Sequence, residues 1–228
     1  MNTLLIAGTD SGVGKTVLMC ALAAYWQTYC AGRSLGMMKP VQCGEGDREL
    51  FIRLFPLNQS LTEINPIHFE TRLAPPVAAD RAGQRIQLDA AWQVLEHLAK
   101  QKEWILLEGV GGFGSPISHE STVADLAWDW RIPTVLVVPV KRGAIGQSVA
   151  NVALARQSRV HLKGIVLNRM HPCTDQEQED WAPIHLIESL TGVPILGEIP
   201  HLSEPTDLGK LSQVASNLDL ERLMPLSL

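Results

Sequence analysis

Short runs of consecutive apolar residues recur along the chain: TLLIA (3–7), SLGMMKPV (34–41), WILLEG (104–109), TVLVVPV (134–140), LKGIVLN (162–168) and PILGEI (194–199). They are continuous rather than alternating, the pattern of strands covered on both faces. The segments between them predict helices over 14–31, 47–55, 88–101, 121–130, 145–159 and 178–191, with Asp89 and Ser121 as caps near two of the starts. Strand–helix alternation of this kind predicts an α/β fold, a doubly wound and mostly parallel sheet with helices on both faces and right-handed crossovers. Residues 56–87 break the alternation. They are rich in proline and polar residues, contain RLAPPVAAD and read as a long excursion. No repeat, low-complexity tract or linker divides the sequence, so residues 1–228 are expected to form a single domain.

In such sheets ligands collect at the carboxyl ends of the strands. Here those ends are followed by a glycine-rich loop at 8–16, Lys39 to Gly44, Glu108 to Gly114, Lys141 to Gly146, Asn168, and Pro200 to Leu202. The unusual polar and glycine-rich residues therefore converge on one edge. The first of these segments, GTDSGVGKT, follows a buried strand and precedes a helix. A phosphate-binding loop needs backbone N–H groups that curl inward, a helix N-terminus behind them and a lysine that reaches the outer phosphates. Gly12 and Gly14 permit the curl, Lys15 supplies the ammonium and Thr16 a hydroxyl for Mg²⁺. The usual spacing G-x-x-x-x-G-K-[ST] places its first glycine at position 9, where this chain has Thr9, with Gly8 one place earlier.

Two further segments extend this reading. Glu108 follows four apolar residues and precedes a glycine turn; a carboxylate there needs a partner or a metal. An acidic residue at a neighbouring strand end helps hold Mg²⁺ in nucleotide-hydrolysing folds of this type. Lys39, at the end of the second run where Pro40 interrupts pairing, suits charge that develops during phosphoryl transfer, or else a lysine that snorkels to the surface. Asp47 in GEGDREL is either an acidic metal contact or a helix cap.

Composition narrows the classes. About 46% of the 228 residues are hydrophobic and 19% are charged, the balance of a globular protein. Nineteen Lys and Arg against twenty-four Asp and Glu leave a net charge of −5, without a basic cluster, which speaks against nucleic-acid binding. No apolar run approaches the roughly 20 residues that span a bilayer, so no membrane association is expected. MNTLLIAGTD shows no basic leader, and its apolar run reads as a strand. The four cysteines, Cys20, Cys30, Cys43 and Cys173, are scattered without metal-ligand spacing and read as reduced thiols of a cytoplasmic protein.

GTDSGVGKT, KPVQCG, EGVGG, the LN pair at 167–168 and GEIPHL stand in the order seen in dethiobiotin synthetases, which the chain resembles over essentially its whole length. That family's phosphate loop also has threonine where the strict rule expects glycine. The chain is similar too to the wider relatives, the plasmid-partition ATPases and cobyrinic acid amidating enzymes. The former carry a signature lysine early in the loop, where this chain has Asp10. The resemblance implies a nucleoside triphosphate hydrolase fold and an ATP-dependent carboligase of biotin synthesis, acting on 7,8-diaminopelargonic acid, CO₂ and MgATP. The carbamate of one amine would attack the γ-phosphate, and the second amine would close the ring.

Position by position, the resemblance implies that Gly12, Val13, Gly14, Lys15, Thr16 and Val17 wrap the ATP phosphates. Lys15 and Lys39 would act in catalysis. Thr16, Asp47 and Glu108 would hold Mg²⁺, with Glu49 as competitor to Asp47. Thr9, Ser11, Lys39, Cys43 and Gly111 would face the diamine, and Glu108, Gly109, Val110 and Gly111 would border ATP and substrate. Asn168 would read adenine, with Arg169 beside it and Pro200, His201 and Leu202 over the base. The family is homodimeric, and the partner's residues around 142 to 151 would help reach the substrate carboxylate; Arg142 in that stretch either contributes or is solvated. Cys43 departs from the serine or threonine common in the family, and a thiol donates a weaker hydrogen bond.

Overall fold

A computed structural model describes residues 2–225; Met1 and positions 226–228 of the expected unit lie outside the described residues. The elements run β1 (Thr3–Gly8), α1 (Lys15–Tyr29), β2 (Leu35–Met38), β3 (Val41–Cys43), α2 (Asp47–Leu54), α3 (Leu61–Ile64), β4 (Ile67–Phe69), α4 (Pro75–Arg81) and α5 (Leu88–Ala99). They continue through β5 (Trp104–Gly112), α6 (Val123–Asp129), β6 (Thr134–Pro139), α7 (Ala144–Gln157), β7 (Leu162–Asn168), α8 (Asp175–Trp181), α9 (Ile184–Thr191), β8 (Ile195–Ile199), α10 (Leu208–Ser216) and α11 (Leu220–Leu223).

Six strands form one sheet in the order β2-β5-β1-β6-β7-β8, each neighbouring pair parallel. Alternate residues of β1 feed opposite faces, as the two-residue period of a strand requires. Leu4 and Ile6 pack with Leu18, Leu22 and Trp26 of α1. Leu5 joins Leu95 and Leu98 of α5, and Ala7 joins Leu136, Ile165 and Ile187. The doubly wound expectation therefore holds, with apolar helices on both faces.

Several local expectations change. The run 34–41 is not one strand: β2 ends at Met38, Lys39 and Pro40 turn the chain, and β3 pairs instead with β4 in a separate two-stranded parallel sheet. Proline cannot donate to a ladder, which explains the break. The excursion 56–87 supplies that partner strand and two short helices, α3 and α4. The helix expected at 178–191 is two, α8 and α9, separated at Ala182 and Pro183. Thr122, not Ser121, caps α6 by accepting from the Asp125 N–H, and Asp89 lies in the first turn of α5 without capping it. No element is expected after position 199, yet α10 packs Leu211, Val214 and Ala215 against α1. This explains why α1 is apolar nearly all round: the sheet covers one side and α10 another.

Candidate active site

The loop between β1 and α1 turns through two left-handed glycines, Gly12 at φ 69° and Gly14 at φ 98°. Gly14 caps α1, so the helix N-terminus and its free N–H groups open at Lys15. The displaced Gly8 has a packing reason: a Cβ there would lie 2.5 Å from Val13 Cγ2 and 3.0 Å from the Asp10 carbonyl. Gly8 also pairs with Gly112 across an irregular step between β1 and β5. The glycine one residue early thus closes the loop against its own Val13.

Lys15 is buried and donates to the Asp10 carbonyl at 2.8 Å. Burial lowers its pKa, against the opposing pull of Glu108. Four side chains from four segments meet beside it. Thr16 donates to Asp47 Oδ1 and to Glu108 Oε1, each at 3.1 Å. Lys39 donates to Glu108 Oε1 at 2.8 Å and also to Asp47 Oδ2. Burial lowers the Lys39 pKa, but the Glu108 and Asp47 carboxylates outweigh it and hold the ammonium above its ordinary value. Burial raises Glu108, and Asp47 adds to the rise, while Lys39 and Lys15 oppose it. Glu108 Oε2 is buried without a hydrogen-bond partner.

That orphaned oxygen bears on a metal. Among the described residues no group of three or more His, Cys, Asp or Glu side chains is arranged to hold a metal ion. Magnesium does not need such a cage; it takes one or two carboxylates together with substrate phosphates. Asp47, Glu108 and the Thr16 hydroxyl offer oxygens of that kind beside the loop. Glu49 is engaged elsewhere, accepting from the Gly46 N–H at 2.8 Å, from Gln42 at 3.1 Å and from Arg48.

Two cavities adjoin the loop and share Gly12. One, of ≈ 590 Å³, is lined by Ser11, Lys39, Cys43, Asp47, Val110 and Gly111, and by residues the sequence reading did not single out: Gln42, Glu45, Arg72, Leu73, Ala74, Pro75, Ser115 and Pro116. Gln42 is buried and bonds the Gly44 carbonyl, Glu49 and the Arg48 N–H, which fixes the turn carrying Asp47. Asn65 is buried too and donates to the Lys39 carbonyl at 2.7 Å. Gln42 acts within the turn that follows it, and Asn65 through a contact 26 positions away that no local pattern displays. Cys43 is half-buried, and burial pushes its thiol up.

The other cavity, of ≈ 190 Å³, is lined by Gly14, Val17, Asn168, Arg169, Pro200, His201 and Leu202, together with Met170, Ile199 and Pro205. Asn168 is buried, and its Nδ2 donates to the Val13 carbonyl at 2.8 Å. The Arg169 guanidinium is held by Glu198, by Gln178 and by Asp175, the last at 3.2 Å. Its backbone N–H donates to Ile199. Thr9, Gly109 and Arg142 stand apart from both cavities. Thr9 Oγ1 reaches Gln147 of α7 at 3.4 Å, Gly109 is buried within β5, and Arg142 is exposed ahead of α7. Val13 is buried beneath the loop.

Residues 2–207 match the family described as an AAA domain. A protein of Gloeothece citriformis named ATP-dependent dethiobiotin synthetase BioD is 52% identical over 226 residues, covering 99% of this chain and 100% of its own length. One of the same name from Crocosphaera subtropica is 54% identical over 223 residues, covering 98% and 100%. Among solved structures, the septum site-determining protein MinD of Pyrococcus horikoshii, complexed with Mg-ADP, superposes with a TM-score of 0.62 at 14% identity over 96% of this chain and 95% of its own. At that identity the likeness is one of fold alone.

Proposed function

The chain belongs to the ATP-dependent dethiobiotin synthetases, and from that premise we propose how its own residues divide the work of a ligase that forms dethiobiotin with the use of ATP. The observation that carries the proposal is the meeting of Lys39, Thr16, Asp47 and Glu108 at the start of α1, with Lys39 and Asp47 lining the larger of two cavities that share Gly12.

The smaller cavity takes the adenine of ATP, with Asn168 at its base and Pro200 to Leu202 beside it. The phosphates run along Gly12 to Val17, over the N-terminus of α1. Lys15 leaves the Asp10 carbonyl for the outer phosphates. Thr16, Asp47 and Glu108 would hold Mg²⁺, which would neutralise charge on the transferring phosphoryl group. The orphaned Glu108 Oε2 supports that assignment.

The larger cleft takes 7,8-diaminopelargonic acid, whose amine end lies beside Lys39, Ser11 and Gly111. CO₂ condenses with one amine to a carbamate, releasing a proton. A carbamate oxygen attacks the γ-phosphorus as the bond to the bridging oxygen breaks, so that ADP leaves and a carbamic–phosphoric anhydride remains. The second amine then attacks the carbonyl carbon, the C–O bond to phosphate breaks, and loss of a proton closes the cyclic urea. Lys39 stands where negative charge develops in the first transfer. The protein's remaining task is to align the two substrates and exclude water.

The proposal extends, as the resemblance implies, to a homodimer and to a cytoplasmic enzyme. No helix among the described residues is long and apolar enough to cross a membrane. Incubation with MgATP, bicarbonate and 7,8-diaminopelargonic acid tests the reading: dethiobiotin is expected by mass, with ATP turnover that needs both other substrates. Full ATP turnover without the diamine would overturn it.

A further inference from the structure

Lys39 stands outside every strand. β2 is the edge of the main sheet and its last pairing is Met38 with Leu107, while Pro40 has no N–H to carry a ladder onward. A lysine ammonium rides on a flexible four-carbon stem, so keeping it between Asp47 and Glu108 requires a fixed backbone beneath it. The segment from α3 to β4 supplies that fixing. The Lys39 N–H donates to the Ile64 carbonyl at 2.7 Å, and the Ile67 N–H donates to the Pro40 carbonyl at 3.2 Å. Between these two bonds lies Asn65, a buried side chain on the residue that ends α3. Its Nδ2 donates to the Lys39 carbonyl at 2.7 Å and to the Ile67 carbonyl at 3.0 Å.

Both neighbours of that nitrogen are acceptors, so the position needs two donors on one uncharged atom, which a primary amide provides. An aspartate of the same shape would donate nothing when ionised. The Asn65 oxygen has only a long contact, 3.5 Å from Arg48 Nη1, so the nitrogen carries the fastening. A buried polar side chain such as Thr134 bonds a carbonyl two positions away, at Ile132, and serves its own turn. Asn65 reaches 26 positions to the backbone of a residue of the candidate active site. We infer that Asn65 is a positioning residue, which clamps the Lys39 backbone so that the ammonium stays where charge develops in phosphoryl transfer. The inference rests on the dethiobiotin-forming reading, which gives Lys39 that task. Misplacing such a group by about 1 Å costs up to about 100-fold in rate, so the effect belongs in kcat.

The test is a double-mutant cycle in kcat for dethiobiotin formation, with wild type, Asn65→Ala, Lys39→Gln and the double variant, and thermal melts to establish that each is folded. Thr134→Val, which removes a buried hydrogen bond at the opposite end of the strands, controls for lost stability. Asn65→Ala is expected to lower kcat about ten-fold, with KM for ATP and for the diamine within about two-fold of wild type. In the Lys39→Gln background the same change should lower kcat by less than about two-fold, because no ammonium remains to be placed. Thr134→Val should melt earlier and keep kcat within about two-fold of wild type. If Asn65→Ala does not fold, Asn65→Ser, which keeps one donor, enters the same cycle with a smaller expected loss. An equal loss in both backgrounds would overturn the inference, as would an earlier melt with kcat unchanged, since Asn65 would then brace the fold alone. A raised Mg²⁺ demand with kcat unchanged would route its effect through Arg48 and Asp47, and would overturn it too. A wild-type enzyme that makes no dethiobiotin sinks the underlying reading, an outcome distinct from each of these.

Discussion

The cavity on the Asn168 side of the loop is walled by groups already fastened to one another, whereas the cleft on the Lys39 side is walled by charges brought from separate segments. On the first side Asn168 holds the Val13 carbonyl, Arg169 is pinned by Glu198, and His201 Nδ1 lies 3.2 Å from the Met170 carbonyl. These contacts are satisfied without a ligand, so the walls are set before anything binds. On the other side Lys39, Thr16, Asp47 and Glu108 satisfy each other, leaving one Glu108 oxygen unpaired. On the proposed reading, an arrangement that holds two carboxylates around one ammonium would rearrange as phosphates and a cation enter. One region is a mould; the other is an electrostatic device.

Removing Lys39 should break the comparison most severely. Lys39→Gln leaves Asp47 and Glu108 facing each other at a buried site without their cation. Loss of a developing-charge stabiliser predicts a fall in kcat of about 100- to 1,000-fold. Loss of one member of a buried ion network predicts about 3 kcal/mol less stability for the ligand-free protein. Saturating MgATP should restore much of that stability, because the cation replaces the ammonium. Calorimetry with and without MgATP reads this directly. A variant equally destabilised in both states would mean that the network is structural only.

The Asn168 side should instead fail through geometry. Gly14 has a left-handed φ of 98°, and any Cβ there would run into the Asn168 amide. Gly14→Ala carries both a backbone penalty of about 1–2 kcal/mol and a steric one. Asn168→Ala relieves the steric part, so a double-mutant cycle should show about 1 kcal/mol of coupling in urea unfolding, and weaker ATP binding in each single variant. Strict additivity would show that Asn168 does not brace the loop.

How these regions are encoded differs in the same way. The loop was legible because its determinants are local: a buried strand, two glycines that must turn, and a helix opening at Lys15. Glu108 was legible because a carboxylate after Ile105, Leu106 and Leu107 demands a partner. The break at Lys39 and Pro40 was visible as a proline, but not its consequence. β3 leaves the main sheet because Ile67 to Phe69 offer it another partner, and that pairing is non-local. Arg72 and Gln42 share this obscurity, since their place in the cleft follows from the β3–β4 pairing. α10 is a different case. Its Asp207 cap, accepting from the Lys210 N–H at 3.1 Å, and its apolar Leu208, Leu211 and Val214 do carry a helical signal. The pattern there is short and follows the last strand, so its role as the cover of α1 emerges only from packing.

The smallest effect concerns the turn that delivers Asp47 to the charged side. Burial pushes the Glu49 carboxyl up, but hydrogen bonds from Arg48, the Gly46 N–H and Gln42 outweigh it and hold the group at about 2, below its ordinary 4.5. A depressed acid stabilises the fold above its unfolded value and loses that contribution as pH falls through the folded one. The window is therefore from about 4.5 down to about 2. Glu49 is exposed, so solvent screening keeps the effect small, of the order expected for a surface pair. Glu49→Gln should flatten the acid limb of the stability profile slightly in that window, and leave the neutral limb displaced by less than about 1 kcal/mol. Because Glu49 also ties Gln42 to the turn, the same variant should loosen Asp47 and raise the Mg²⁺ concentration needed for half-maximal activity by a few-fold. An acid limb that flattens without a change in Mg²⁺ demand would confine Glu49 to capping α2 and free Asp47 from dependence on it.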